Sequence, residues 1–271
     1  RSPRNILRPG LPCICLPTTA GTGAEVSANA VFHPGGVSNI YTVPAMAIVD
    51  PNLSKTMPPS ITAQTGLDAF AHCELGVTSF RLGHPITDAL SWGAIKLIAS
   101  NLRKAYYFPD DLQARYSMSV AALMGGLIIV EHGFIGGYNH AMGEALTMKY
   151  RMGHGLAVGA MLPYDMEQDV VCSAEIVAEV AKAMGENVEG LTVREAAYKG
   201  VFALKQLNED IGIPPLKDLG VPREDLPELA GEVFRGTSPR QVPKLSEKII
   251  LGMFEAAWEG KLGLERQLET Q

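Results

Sequence analysis

The sequence is poor in several things, and each shortage removes a class of protein. Charged residues make up 19% of the 271 and aromatic residues 7%. Lys and Arg number 23 against 29 Asp and Glu, giving a formal charge of -6 and a pI near 5.6. No basic cluster interrupts that balance, which excludes the electrostatic footprint of a nucleic-acid binder. The four cysteines, Cys13, Cys15, Cys73 and Cys172, form no C-x-x-C pair and are too few for a disulfide scaffold. No apolar run reaches membrane-spanning length, and no stretch has the pattern of a signal peptide. The stretch Ala121–Val130 holds two glycines and reads as a buried helix. The expectation is a cytoplasmic, reduced protein with neither a membrane nor a nucleic acid as partner. What the chain does have is 46% hydrophobic residues, enough for one large globular domain or two.

Residues 1 to about 50 read as β structure and loops. Pro12–Pro17 is a short apolar strand in which Cys13 and Cys15 share one side and read as packed thiols. Ser27–Phe32 is a second strand, His33–Gly36 a turn, and Met46–Val49 a third strand. Two or three strands make no stable sheet alone, so these must pair with further strands or lie against helices. From Met57 onward the pattern is helical. Ser60 is the expected N-cap of the first helix, and Pro85 lies in the first turn of the second, which runs to about Tyr106. Asp110 opens a third helix, rich in Met, Ala and Gly, that reaches the region of Val130. Gly153-His154-Gly155 reads as a loop before a helix starting near Leu156. Ser173 is expected to cap a helix, Thr192–Glu195 is a capping box, and shorter helices follow near Glu224–Phe234 and Ser246–Trp258.

Chemistry concentrates in few places. Asp68 and His72 stand four residues apart, which on a helix puts both on one face about 6 Å apart along the axis. A carboxylate and an imidazole so placed can grip one cation, or simply form an i,i+4 hydrogen bond on a solvated face. The chain has only six histidines. His140 falls in a Gly-rich, partly apolar segment where a buried imidazole needs compensation, and His154 stands between two glycines. One carboxylate and three imidazoles suit Fe2+ or Zn2+ better than Mg2+ or Ca2+. The alternative is a satisfied core histidine and a helix-terminal one. The turn Thr18–Glu25 has glycines that admit a ligand to the backbone, and hydroxyls and N–H groups that suit a phosphate or a cofactor amide. It lacks the P-loop lysine and does not match G-x-G-x-x-G, so a plain connecting turn stands beside the cofactor reading.

In combination these residues resemble the iron-dependent (group III) alcohol dehydrogenases. The matching stretches are Leu16–Glu25, Met57-Pro58-Pro59, Thr65–His72, His84–Leu90, Asn139–Met142, and Gly153-His154-Gly155 with Leu162-Pro163, in the family's order and spacing. The resemblance implies a mainly α fold: a dehydroquinate synthase-like helical domain at 54–271, preceded at 1–53 by a short β remnant of a Rossmann-like cofactor domain. It implies Asp68, His72, His140 and His154 as ligands of Fe2+, with Zn2+ as the other candidate. Thr18, Thr19, Gly21, Thr22 and Asn29 carry over as contacts to NAD or NADP. The implied reaction is reversible hydride transfer between an alcohol and NAD(P), giving an aldehyde or ketone, with the metal as Lewis acid. A homodimer acting on a small alcohol or aldehyde is the implied assembly.

Three departures qualify this. No Gly-Gly-Gly-Ser loop precedes Arg1, so the expectation is the C-terminal metal-binding portion, with impaired activity in this chain. Where the family carries a further histidine, four residues after His140, this chain has Glu144, either a proton-handling group or an additional ligand. The segment from His33 to Thr42 looks shortened. Two other readings are a non-catalytic helical binding or oligomerisation module and, from the ligands alone, a metal-assisted hydrolase.

Overall fold

The computed structural model describes residues 6, 8–32, 35–78, 84–132, 137–237 and 243–269. Among these residues the chain is mainly helical, with four short strands, and it divides into two compact units. The first comprises Arg1–Gly76 with Leu82–Ile135, and the second Val77–Arg81 with Gly136–Gln271.

In the first unit, β1 (Ile14–Cys15) pairs in parallel with β4 (Met46–Ala47), and β2 (Asn29–Phe32) pairs antiparallel with β3 (Gly35–Ser38). The strands are shorter than expected. The turn expected at His33–Gly36 falls partly outside the described residues, and Gly35 and Gly36 belong to β3. Cys13 is exposed and Cys15 half-buried, so they are not packed thiols; their sulfurs lie 3.7 Å apart.

Three helices complete this unit: α1 (Pro59–Thr78), α2 (Pro85–Tyr107) and α3 (Leu112–His132). Pro59 rather than Ser60 begins α1, since a proline at the first position loses no helical hydrogen bond. Asp111, not Asp110, caps α3, its Oδ1 accepting from the Ala114 N–H at 3.0 Å. Phe70, Leu67, Ile95, Ile98, Leu102 and Ile128 are fully buried, each contributing roughly 1.5–3 kcal/mol. Arg115 of α3 is buried as well. It donates to Thr62 Oγ1 at 2.8 Å, the Pro109 carbonyl at 3.1 Å and the Met57 carbonyl at 3.4 Å. Burial pulls its guanidinium below the usual value, with Asp110 opposing the shift. This buried charge pins α3 to the start of α1. Among the described residues, only Leu112–Val130 is long and apolar enough to cross a membrane, and 56% of that window is buried.

The described residues of the second unit carry α4 (Tyr138–Tyr150), α5 (His154–Ala183), α6 (Val193–Asp210), α7 (Leu226–Gly236), α8 (Glu247–Glu259) and α9 (Gly263–Glu269), joined by loops. The long α5 packs against α4, α6 and α8. Two of its residues interrupt regular helix. Ser173, the expected cap, adopts φ -147 and ψ 36 and marks a kink between two helical stretches. Pro163 has no N–H for the Gly159 carbonyl one turn back. The buried Asn208 of α6 donates its side-chain N–H to that carbonyl at 2.7 Å. The capping box holds, with Thr192 Oγ1 accepting from Glu195 N–H and the Glu195 carboxylate accepting from Thr192 N–H.

Candidate functional site

In the first unit, α1 carries Asp68 and His72 one turn apart, and both are buried, at 2% and 7% exposure. That burial removes the solvated-face reading. His72 Nε2 lies 3.7 Å from Asp68 Oδ1, too far for a hydrogen bond between them. Two metal–ligand bonds of about 2.1 Å each can span it. On α3, Gly125 makes room for the pair, since a Cβ there would lie 3.2 Å from the His72 Cβ. Cys73 next door is buried, and burial pushes its thiol up, so it stays a protonated packing group and not a thiolate ligand.

The Thr/Gly turn docks on the same helices. A Cβ on Gly21 would meet Thr65 of α1 at 2.8 Å, and Gly23, at φ 59, would meet the Ala122 carbonyl and the Gly126 backbone at 2.5 Å. Backbone-to-backbone contact fixes the turn against α1 and α3. Gly21 is buried, while Thr18, Thr19 and Thr22 are exposed. Thr22 Oγ1 accepts from the Ala24 N–H at 3.3 Å, and Asn29 is half-buried at the start of β2, its N–H on Ser27 Oγ at 3.0 Å.

In the second unit, His140 lies in the first turn of α4, and His154 is the first residue of α5, not part of a preceding loop. Their ring centroids are 5.7 Å apart with planes inclined at 53°. The neighbouring Asn139, fully buried, places Oδ1 2.8 Å from His140 Nδ1. An amide oxygen only accepts, so Nδ1 carries the hydrogen and Nε2 carries the lone pair that a metal needs. Asn139 is itself held. The cap residue Gly137 offers no side chain, and Asp165 of α5 supplies the missing acceptor, Oδ2 taking the Asn139 N–H at 2.8 Å. Burial, then the nearby Asp169, push the Asp165 carboxyl well above the ordinary range. Where α4 meets α5, a Cβ on Gly143 would sit 2.9 Å from the Val158 nitrogen. Glu144 follows, with Oε2 3.8 Å from His154 Nδ1.

The structure thus brings together Asp68 with His72 in one unit and His140, His154 and Glu144 in the other. Sequence reasoning missed Asn139 and Asp165. Asp165 left one signal, a lone carboxylate closing the apolar run Leu156–Tyr164.

Similarities to known proteins extend over most of the chain. Residues 62–258 match the model of the Fe-containing alcohol dehydrogenase family, C-terminal, and residues 1–51 match iron-containing alcohol dehydrogenase. A 1,3-propanediol dehydrogenase of Klebsiella pneumoniae is 35% identical over 255 residues, covering 91% of this chain and 65% of that protein. The lactaldehyde reductase of Escherichia coli K12 is 34% identical over 268 residues, covering 95% and 68%. A crystal structure of 1,3-propanediol oxidoreductase superposes with a TM-score of 0.88 at 35% identity, covering 94% of this chain and 68% of that one. The sulfoacetaldehyde reductase of Bifidobacterium kashiwanohense, solved in complex with NAD+, gives 0.81 at 26% identity, covering 94% and 68%. The chain therefore spans about two thirds of the length of these proteins. Its helices and short leading strands are those of the dehydroquinate synthase-like fold. The chain belongs to the iron-containing alcohol dehydrogenase family.

Proposed function

We propose that this chain carries the metal-binding part of an oxidoreductase that transfers hydride reversibly between a small alcohol and NAD or NADP, giving an aldehyde or ketone. The buried Asp68–His72 pair, separated by 3.7 Å on one helix face, carries this reading. Asp68, His72, His140 and His154 are the proposed ligands, one carboxylate and three imidazoles, a donor set that fits Fe2+ and accommodates Zn2+. A divalent cation supplies Lewis-acid polarisation of the substrate oxygen.

The chain's own residues then orient and hold. Asn139 keeps the lone pair of His140 on Nε2. Thr18, Thr19, Gly21, Thr22 and Asn29 offer hydroxyls, an amide and closely approachable backbone to the NAD(P) cofactor. NAD is favoured by the NAD+ complex of the sulfoacetaldehyde reductase. The division into a cofactor-domain segment at 1–53 and a metal-binding segment at 54–271 is supported by the two family models, which end and begin at 51 and 62. We further propose a cytoplasmic homodimer whose partners are the small-molecule alcohol or aldehyde, with no role for nucleic acid or a membrane.

The test is anaerobic reconstitution with Fe2+ or Zn2+, dialysis and metal counting. The parent chain is expected to retain about one equivalent, and Asp68→Ala and His140→Ala to retain none. Calorimetry with NAD and NADP on the loaded protein then reads cofactor binding. A parent chain that emerges metal-free overturns the reading.

A further inference from the structure

We propose that Glu144 is a positioning residue for His154, its carboxylate facing Nδ1 and so fixing the tautomer that presents Nε2 to a divalent cation. This rests on the reading of His154 as a metal ligand. The two imidazoles of the second unit stand on different helices in different settings. His140 sits inside α4 with its Nδ1 on the buried Asn139 amide at 2.8 Å. His154 is the opening residue of α5, and its side chain is 40% exposed. An imidazole has two neutral tautomers, and the one with its proton on Nδ1 is selected by an acceptor that faces that nitrogen.

Glu144 is placed to be that acceptor. It lies one turn after His140, on the same face of α4. The residue before it, Gly143, lets α4 approach the α5 backbone, where any Cβ would be 2.9 Å from the Val158 nitrogen. This close crossing brings the Glu144 Oε2 to 3.8 Å from His154 Nδ1. That separation is an electrostatic contact. Closing it to a hydrogen bond takes a shift of about 1 Å, within the rotamer freedom of a side chain that is 55% exposed. A carboxylate accepting from the far nitrogen of a ligating histidine orients the ring and raises its basicity. The glutamate would do for His154 what Asn139 does for His140, with a full charge.

The experiment compares the full chain with Glu144→Ala and Glu144→Gln in two arms. In metal-free protein at about pH 8.5, long-range 1H–15N correlation reads the His154 tautomer. The parent is expected to hold Nδ1–H, Glu144→Ala to revert toward Nε2–H, and Glu144→Gln, which keeps an acceptor oxygen without the charge, to fall between. In the second arm, titration with Co2+ is expected to show about tenfold weaker binding for Glu144→Ala, with the ligand-field spectrum of the loaded protein unchanged. An unchanged tautomer and affinity in Glu144→Ala would overturn the assignment. So would a Co2+ spectrum that changes coordination number on losing Glu144, since that makes it a ligand. A parent that binds no Co2+ instead overturns the metal reading and this role with it, while the tautomer arm still reports whether the two side chains meet.

Discussion

Asp68 and His72 share one helix, whereas His140 and His154 stand on two, and the two pairs are built by different means. For the first, the backbone of α1 sets the spacing, and neighbouring helices need only make room, as Gly125 does at His72. For the second, the spacing depends on how α4 crosses α5. That crossing is set by the bare backbone of Gly143 and by the buried bond from Asn139 N–H to Asp165. A pair within one helix inherits its geometry; a pair across two helices needs extra residues that bind nothing themselves. The second unit accordingly contains a set of positioning groups, Asn139, Gly143 and Asp165.

Three substitutions would sharpen or break this contrast. The largest effect is expected from Gly126→Val in α3, whose Cβ would land 2.8 Å from the Gly23 Cα, backbone against backbone. Neither side can yield, so a loss of about 3 kcal/mol is expected in denaturant unfolding, together with weaker NAD(P) binding as the Thr18–Glu25 turn is displaced. Next comes Gly143→Val, which meets the Val158 nitrogen and side chain and should cost about 2 kcal/mol. Its diagnostic outcome is weakened metal retention with Asp68 and His72 intact. Full retention would show that the helix crossing does not set the second pair.

The smallest effect is expected at Asp165. Replacing it by Ala strands the buried Asn139 N–H and should cost on the order of 1 kcal/mol, whereas Asp165→Asn keeps an acceptor oxygen. The two also separate by pH. The folded carboxyl is raised well above its ordinary 3.8, so the folded chain retains a proton that the unfolded chain gives up. Stability should therefore be fullest below that ordinary value and fall as pH rises toward the raised one. Melting temperature against pH should show that fall in the parent and a flatter profile in Asp165→Asn. Equal slopes would mean that Asp165 ionises in the folded chain as it does in the unfolded one.

The same contrast explains what could be read from the sequence. Asp68 and His72, the Thr192–Glu195 box and the Ser173 break are all local, each expressed within about one turn of chain, and all appear in the structure. The mainly helical fold follows from long apolar periodicities of the same local kind. The support of His140 is not local: Asn139 and Asp165 are 26 residues apart, and nothing in either residue's neighbourhood names the other. Burial is not legible in the sequence for a related reason. The alternation Cys13-Ile14-Cys15 fixes which thiols share a side but not whether anything covers that side, and Cys13 is exposed. Glu144 was visible as a departure from the family's pattern. Only the approach at Gly143 shows which group it faces.

The amide of Asn208 on the Gly159 carbonyl has a consequence for how the second unit comes apart. Pro163 leaves a gap in the hydrogen-bond ladder of α5, and the side chain that fills it belongs to α6. Once α6 lifts away, a carbonyl in the second turn of α5 loses its donor in a buried setting, so α5 weakens at the moment α6 is released. The two helices should then open together in native-state hydrogen exchange, as one cooperative block and not as two that fray separately. The first turns of α5, which begin with His154, would draw their protection from a helix about fifty residues later in the chain.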